Sequence, residues 1–148
     1  MENSKNGKNA TFEDELEVMR ERILAETLEE AVFEGWTVHG LEKAAISAGM
    51  TAEEVKRGDL KLAFPKGIAD ILDFWSEQAD EKMVSAYLEA DPAPEKIREK
   101  VRFLVKARLE ALADHKEAAR RASATMALPL YASLAAKLSW PSMKRRPG

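Results

Sequence analysis

Apolar side chains recur every three or four residues along most of this chain, a spacing that places them on one face of an α-helix. The clearest case follows Gly67, where apolar residues trace a single stripe from Ile68 to Ala86. No segment shows the alternation of apolar and polar residues, over about four to eight positions, that indicates a half-buried strand. The sequence therefore predicts an all-α fold whose helices are separated by glycine and proline.

The N-terminal part of the chain predicts a leader and one long, acidic helix. Residues 1–10 are polar and lack a helical period, which we interpret as a disordered leader. Thr11 and Asp14 have the spacing of an N-cap pair, and the helix that they begin is expected to end at Gly35. Between residues 12 and 34, nine acidic side chains face only two arginines, so the outer surface of this helix is expected to be negative.

Two shorter helices are predicted next, and together with the first they outline a helix-turn-helix unit over residues 11–62. Thr37 can cap a helix that ends at Gly49, where a left-handed residue is needed. Thr51 and Glu54 have the spacing of a capping box for a further short helix. One compact domain is expected overall, because 148 residues are enough for one ordinary core.

The remainder of the chain predicts a helical body over residues 63–138 and a basic tail over residues 139–148. In the stretch LAFPKGIADILDFW, Phe64 and Pro65 are expected to wedge the first unit against a helix that runs from Ile68 to about Leu88. Pro94 suits the first turn of the next helix. That helix presents one apolar side, and an alanine-rich helix follows it until Pro129. The residues of the apolar side are Ile97, Val101, Leu104, Val105, Arg108 and Leu112.

Composition and motif content argue against an enzyme and against a resident metal or cofactor. The chain has no cysteine, so disulfides and thiolate chemistry are excluded. His39 and His115 lack partners at the spacing of a metal site. No nucleophile, paired-carboxylate or phosphate-loop motif has a supporting context. No signal peptide or membrane-spanning stretch is recognisable, which favours a cytoplasmic location.

The charge pattern also argues against DNA binding, although a TetR-like transcriptional regulator remains the alternative function. A recognition helix presents basic or amide side chains at its N-terminal positions, where they reach the bases. Here that helix begins with Glu53 and Glu54, and the formal net charge of the chain is −3. The basic residues that leave a phosphate contact open are Lys56, Arg57, Lys61 and Lys66.

Several motifs together resemble the lipid-binding accessory proteins of coenzyme Q (ubiquinone) biosynthesis. The resemblance covers roughly residues 22–138, and the family pattern continues for several helices beyond the position of Leu138, so the lipid-binding body is expected to be incomplete. The segments that carry it are Gly35-Trp36-Thr37, Phe64-Pro65-Lys66-Gly67, Phe74-Trp75-Ser76, Lys96-Ile97-Arg98, Glu110-Ala111-Leu112 and Ala127-Leu128-Pro129.

The resemblance implies a TetR-like helical fold and a non-enzymatic role in binding lipid. It implies an isoprenoid quinone or phospholipid as ligand, presentation of that ligand to the demethoxyubiquinone hydroxylase, a homodimer, and peripheral contact with the inner membrane of a bacterium. Trp36 and Trp75 lie beside apolar stripes and are expected mainly in the core. The candidate lipid-binding residues are Trp75, Met83, Leu104, Val105, Met126 and Leu130.

Overall fold

The computed structural model describes residues 3–128, with side chains from residue 11 onward, and within this range every regular element is a helix. The all-α prediction is confirmed. A short 3-10 helix, Ala113–His115, separates the last two α-helices. The α-helices are α1 (Asn3–Glu34), α2 (Val38–Ser47), α3 (Ala52–Arg57), α4 (Asp59–Ala63), α5 (Ile68–Glu89), α6 (Ile97–Leu112) and α7 (Lys116–Met126).

The chain divides into two compact units, Met1–Ile71 and Leu72–Gly148. The sequence predicted one compact domain with an internal division between residues 62 and 63. The division instead falls within α5, whose first turn belongs to the first unit and whose remainder belongs to the second. The apolar stripe of α5 is continuous, so no feature of the sequence shows at which residue the helix passes from the first unit to the second. The prediction therefore placed the boundary at the turn before the helix.

The first unit is built on α1, which packs against α2 and α4. Ala44 and Ala45 of α2 are fully buried, and their small side chains let the two helices approach closely. Trp36, which lies between α1 and α2 along the chain, is buried, as expected. The guanidinium of Arg20 lies 5.3 Å from the ring centroid of Phe64, so the aliphatic core is bordered by a cation–π contact.

The predicted caps of the short helices are confirmed. The Oγ1 of Thr37 accepts a hydrogen bond from the backbone N–H of Gly40 at 3.0 Å. The Oγ1 of Thr51 accepts one from the N–H of Glu54 at 3.1 Å and donates to the Glu54 carboxylate at 3.0 Å. The second bond differs from an ordinary capping box, in which the carboxylate reaches the backbone N–H of the cap residue. Gly49 has a φ of +117°, as the end of α2 required.

The Phe-Pro-Lys-Gly turn is held by backbone bonds. The N–H of Gly67 donates to the carbonyl of Phe64 at 2.9 Å, and the N–H of Lys66 donates to Asp70 Oδ2 at 2.6 Å. Phe64 is 1% exposed and belongs to the core of the first unit. Pro65 is exposed, so of the two residues expected to wedge the first unit against the next helix only Phe64 is buried. The proline sets the direction of the turn while the phenylalanine provides the packing.

Three helix starts differ from the prediction. Helix α1 begins at Asn3, so residues 3–10 are helical where a disordered leader was expected. Adding a residue to an existing helix costs far less than nucleating one, so a helix can extend into residues without apolar period. Helix α6 begins at Ile97 with Lys96 as its N-cap, which leaves Pro94 outside it. The short helix α4 was not predicted.

The C-terminal predictions are only partly within the described residues. Helix α7 ends at Met126, before Pro129, in agreement with the expected end of the alanine-rich helix. The part of the predicted body from 129 to 138, and the basic tail 139–148, lie outside the described residues. Among the helices that are described, none combines the length and apolarity needed to cross a membrane.

Candidate functional site

An apolar groove lies within the second unit, between α5, α6 and α7. Its volume is about 200 Å³. Aliphatic, aromatic and thioether side chains make up most of the lining, and the polar members are two serines and one arginine. The lining residues are Leu72, Trp75 and Ser76 on α5, Arg108 and Leu112 on α6, and Ala119, Ala122, Ser123 and Met126 on α7.

Helical periodicity explains why these residues meet. The four lining residues of α7 are spaced at i, i+3, i+4 and i+7, which places them on one face. Ala122 is only 4% exposed, and the small side chains on this face leave room that larger residues would fill. On α6, Arg108 and Leu112 are one turn apart. The groove therefore exists because α7 contributes small residues to a contact between three helices.

Among the described residues that line the groove, Arg108 is the only charged one. Its Nη2 donates to the Oγ of Ser76 at 3.0 Å, and its Nη1 pairs with the carboxylate of Asp80. A guanidinium has five N–H donors, so these two bonds leave capacity for an acceptor on a ligand. The side chain is 37% exposed, which places its charge between the apolar lining and solvent.

A second ionic cluster fixes the first turn of α7. Glu117 accepts hydrogen bonds from Nε and Nη2 of Arg120 and from Nε of Arg121, at 2.6 to 3.1 Å. These bonds lower the pKa of Glu117 from 4.5 to about 2, mainly through Arg120 and then Arg121. A carboxylate near a helix N-terminus is also favoured by the helix dipole. The cluster stabilises the helix that supplies four of the nine groove residues.

Two of the six predicted lipid-binding residues, Trp75 and Met126, line the groove. Met83 and Leu104 are half-buried and are not among its lining residues. Val105 is 53% exposed, so the structure does not bring it to the groove. Leu130 lies outside the described residues.

There is a physical reason why Val105 lies outside the groove. Val105 lies on the same side of α6 as Arg108 and Leu112, within about 60° around the helix axis, but only the latter two lie at the end of the helix that borders the groove. The rings of Phe103 and Tyr87 meet edge to face, with centroids 6.0 Å apart. Ile97, Val101 and Val105 are exposed, and of the predicted apolar side only Arg108 and Leu112, at its C-terminal end, reach the groove.

Sequence reasoning did not select Ser76, Arg108, Leu112 or the small α7 residues as site candidates. The sequence places Arg108 on the apolar side of its helix. A charged residue within an apolar stripe is a feature that indicates a candidate binding residue. The spacing of Ala119, Ala122, Ser123 and Met126 is a second signal. Small residues on one helix face occur both where two helices pack closely and where a cavity lies between them, and the sequence does not distinguish the two arrangements.

The first unit offers little to a nucleic acid. Arg57 is bonded to Asp59 through both Nε and Nη2, at 3.1 and 2.5 Å. Lys43 is paired with Glu34 at 2.9 Å and with Glu30 at 3.6 Å. Basic side chains that are already neutralised contribute less to the release of counterions from DNA. The pairing of these two basic residues with acidic neighbours is therefore a second argument against DNA binding, besides the acidic start of α3.

Neither histidine belongs to a cluster suited to a metal ion. His39 is exposed and His115 is half-buried. Among residues 3–128, no group of three or more histidine or acidic side chains could hold a metal. The groove is therefore the candidate site in the part of the chain that the structure describes.

Comparisons with protein-family models, with curated proteins and with solved structures gave no significant match to this chain.

Proposed function

We propose that this protein binds a lipid in the groove of its second unit, without catalysis, as an accessory protein of ubiquinone biosynthesis. The observation that carries the lipid-binding proposal is the groove itself, which is apolar over most of its described lining and bordered there by the guanidinium of Arg108. The pathway is proposed from the motif resemblance alone, including the Phe74-Trp75-Ser76 segment whose last two residues line the groove.

The chemistry of the lining fits one end of an amphiphile. Sites for small ligands are mostly apolar, with a few polar groups that fix orientation, and have volumes of about 300 to 1,000 Å³. A groove of about 200 Å³ is smaller, so it accommodates a ring or a short chain segment rather than a whole isoprenoid lipid. Arg108 is placed to donate to a quinone carbonyl or a phosphate oxygen.

The hydrogen bonds of the two serines in the groove lining support a non-enzymatic role. Ser76 accepts a hydrogen bond from Arg108, which is a cation and cannot take its proton. The hydroxyl of Ser123 donates to the carbonyl of Ala119 at 3.2 Å. Neither contact resembles the serine and general-base pair of a nucleophilic enzyme. Binding without catalysis is the function that this lining supports.

The proposal is tested by filling the groove. Purified protein is examined by native mass spectrometry with lipid extraction, and then by thermal shift with a short-chain ubiquinone and with phosphatidylglycerol. Ala119→Phe places a ring in the groove and should abolish ligand binding. Ala124→Phe is the matched control, because Ala124 is an exposed residue of the same helix and does not line the groove.

Ligand binding that is equal in both variants would place the ligand elsewhere. Absence of any bound lipid, together with no thermal shift from either lipid, would contradict lipid binding by this chain. Selective binding of the quinone supports the ubiquinone assignment, whereas binding of phosphatidylglycerol alone supports a lipid protein outside that pathway.

Presentation to the demethoxyubiquinone hydroxylase is a separate part of the proposal. It predicts that purified hydroxylase is retained by the immobilised protein and that a quinone precursor bound by the protein is transferred to the enzyme. Light scattering tests the homodimer that the resemblance implies. Retention of no hydroxylase would confine the function to lipid binding.

A further inference from the structure

The charge of Arg108 at the groove is matched by a carboxylate on the neighbouring helix. Nη1 of Arg108 on α6 pairs with the carboxylate of Asp80 on α5. The Arg108 side chain is 37% exposed and that of Asp80 is 54% exposed, so the pair lies where the apolar lining meets solvent. Asp80 does not itself line the groove. A ligand that binds Arg108 therefore meets an ion pair rather than an unpaired cation.

The position of Asp80 follows from the helical period of α5. Ser76 and Asp80 are one turn apart, so they lie on the same face of the helix, with about 5 to 6 Å between their Cβ atoms. Both are bonded to the same guanidinium, and Ser76 also lines the groove. A head group that reaches Arg108 from the groove consequently lies close to the Asp80 carboxylate.

The number of donors on the guanidinium allows a neutral ligand to bind without displacing Asp80. Ser76 and Asp80 each accept from one N–H group of Arg108, and a guanidinium has five such groups. A carbonyl oxygen can accept from the remaining donors and brings no charge. An anionic head group also finds donors, but it shares one positive charge with Asp80, and the two negative groups repel each other.

We propose that Asp80 determines which head groups the groove accepts, by favouring an uncharged acceptor such as a carbonyl and by repelling a carboxylate or a phosphate. A binding site can discriminate between ligands by repelling the wrong one as well as by contacting the right one. The inference rests on the proposed function, since it concerns the ligand of the same groove. It assigns the choice of ligand to a residue outside the groove lining.

A purely structural role for Asp80 makes a different prediction. An ion pair at this exposure contributes little to stability, and Ser76 still accepts from the guanidinium when Asp80 loses its charge. Asp80→Asn keeps a side-chain oxygen that can accept from Nη1, and it removes the negative charge. If Asp80 served only to position Arg108, this substitution would weaken the binding of every ligand to a similar extent. Charge selection instead predicts a gain in affinity for anions alone.

Two probes of matched shape separate the charge of a head group from its size. Octanoate and heptyl methyl ketone have the same heptyl chain and the same carbonyl group, and they differ in carrying O⁻ or CH₃ on the carbonyl carbon. NMR titration of the full chain at neutral pH gives the Kd of each probe. We expect the wild type to bind the ketone more tightly than octanoate. Ala119→Phe, which fills the groove, should abolish the binding of both probes.

The charge variant and its control are both on α5. Asp80→Asn should strengthen octanoate binding about fivefold, which is the effect of one unit charge at about 4 Å in surroundings close to water, and should leave ketone binding within about twofold. High salt should reduce the gain because it screens the charges. Glu89→Gln is the matched control and should change neither affinity, because Glu89 is an exposed acidic residue about 13 Å farther along the same helix.

The outcomes separate this inference from the proposed function. Equal octanoate affinity in wild type and Asp80→Asn would overturn the inference, and so would octanoate binding the wild type more tightly than the ketone does. Weaker binding of both probes to Asp80→Asn would also overturn it, since the residue would then only position Arg108. In each case lipid binding still stands if the wild type binds the ketone and Ala119→Phe does not. A wild type that binds neither probe would contradict lipid binding in the groove, and the inference with it.

Discussion

Arg108 on α6 donates a hydrogen bond from Nη2 to the Oγ of Ser76 on α5, across 3.0 Å. The same guanidinium pairs through Nη1 with Asp80, one turn further along α5. A single side chain thus joins two helices at the edge of the groove. The contact between α6 and α5 otherwise includes the edge-to-face pair of Phe103 and Tyr87, so Arg108 has a structural role as well as its proposed role toward a ligand.

A double-mutant cycle on Arg108 and Ser76 measures this contact. Arg108→Gln and Ser76→Ala should each lower the free energy of unfolding, and the two changes should be non-additive by about 1 kcal/mol because they remove one shared hydrogen bond. Urea unfolding of the two single variants and the double variant gives the coupling. Arg102→Gln with Ser85→Ala, both exposed, is the control pair and should be additive. A coupling of zero between Arg108 and Ser76 would contradict the contact.

Removal of the N-cap of α2 is expected to lower the free energy of unfolding. Thr37→Ala removes the oxygen that accepts the N–H of Gly40, and should lower the free energy of unfolding by about 1 kcal/mol. Ser47→Ala, at the exposed opposite end of the same helix, should change it by less than about 0.5 kcal/mol. Urea unfolding followed by circular dichroism provides the comparison. Equal effects at the two ends would mean that the Thr37 hydroxyl does not act as a cap.

The parts of the fold that were predicted correctly depend on interactions between near neighbours. Thr37, Thr51 and Gly49 act on groups within about four residues of themselves, so the sequence contains both partners of each interaction. The beginning and end of α5 were also predictable, because breakers flank a long apolar stripe. Local chemistry therefore sufficed for the all-α class and for most helix boundaries.

The groove and the orientation of α6 depend on partners far away in the chain. The sequence shows that Val105 is apolar at helical spacing, but which residues of α6 meet α5 depends on partners on that other helix, such as Ser76 and Tyr87. Arg108 enters the groove only because Ser76 and Asp80 hold its guanidinium. The N-terminal extension of α1 was missed for another reason, since helix propagation needs no apolar period.

The Phe-Pro-Lys-Gly turn predicts a backbone effect at Gly67. Its φ is +63°, a left-handed conformation that costs a residue with a Cβ about 1 kcal/mol or slightly more. Gly67→Ala should lower the free energy of unfolding by that amount. Lys66→Ala is the control, because its side chain is exposed and its N–H can still reach Asp70. A Gly67→Ala variant as stable as wild type would show that the turn relaxes without cost.

The ion cluster of α7 predicts a pH dependence of stability. The pKa of Glu117 is lowered to about 2 by Arg120 and Arg121, so the folded state favours the ionised carboxylate. A group whose folded pKa is lowered stabilises the fold above its unfolded pKa, which is about 4.3 for glutamate. That contribution is lost as the pH falls from about 4.3 through about 2. Glu117→Gln should therefore be less stable than wild type at neutral pH, with a difference that shrinks over this acidic range.

Carbon-13 NMR titration of the Glu117 carboxyl checks the cause directly. Arg120→Gln removes the larger of the two hydrogen-bonding influences and should raise the pKa of Glu117 toward its ordinary value. Because the three side chains are 35% to 69% exposed, high salt should weaken the effect by screening the charges. A Glu117 pKa that stays low in Arg120→Gln would assign the effect to Arg121 and to the helix dipole. A pKa near the ordinary value in the wild type would show that the cluster is not formed in solution.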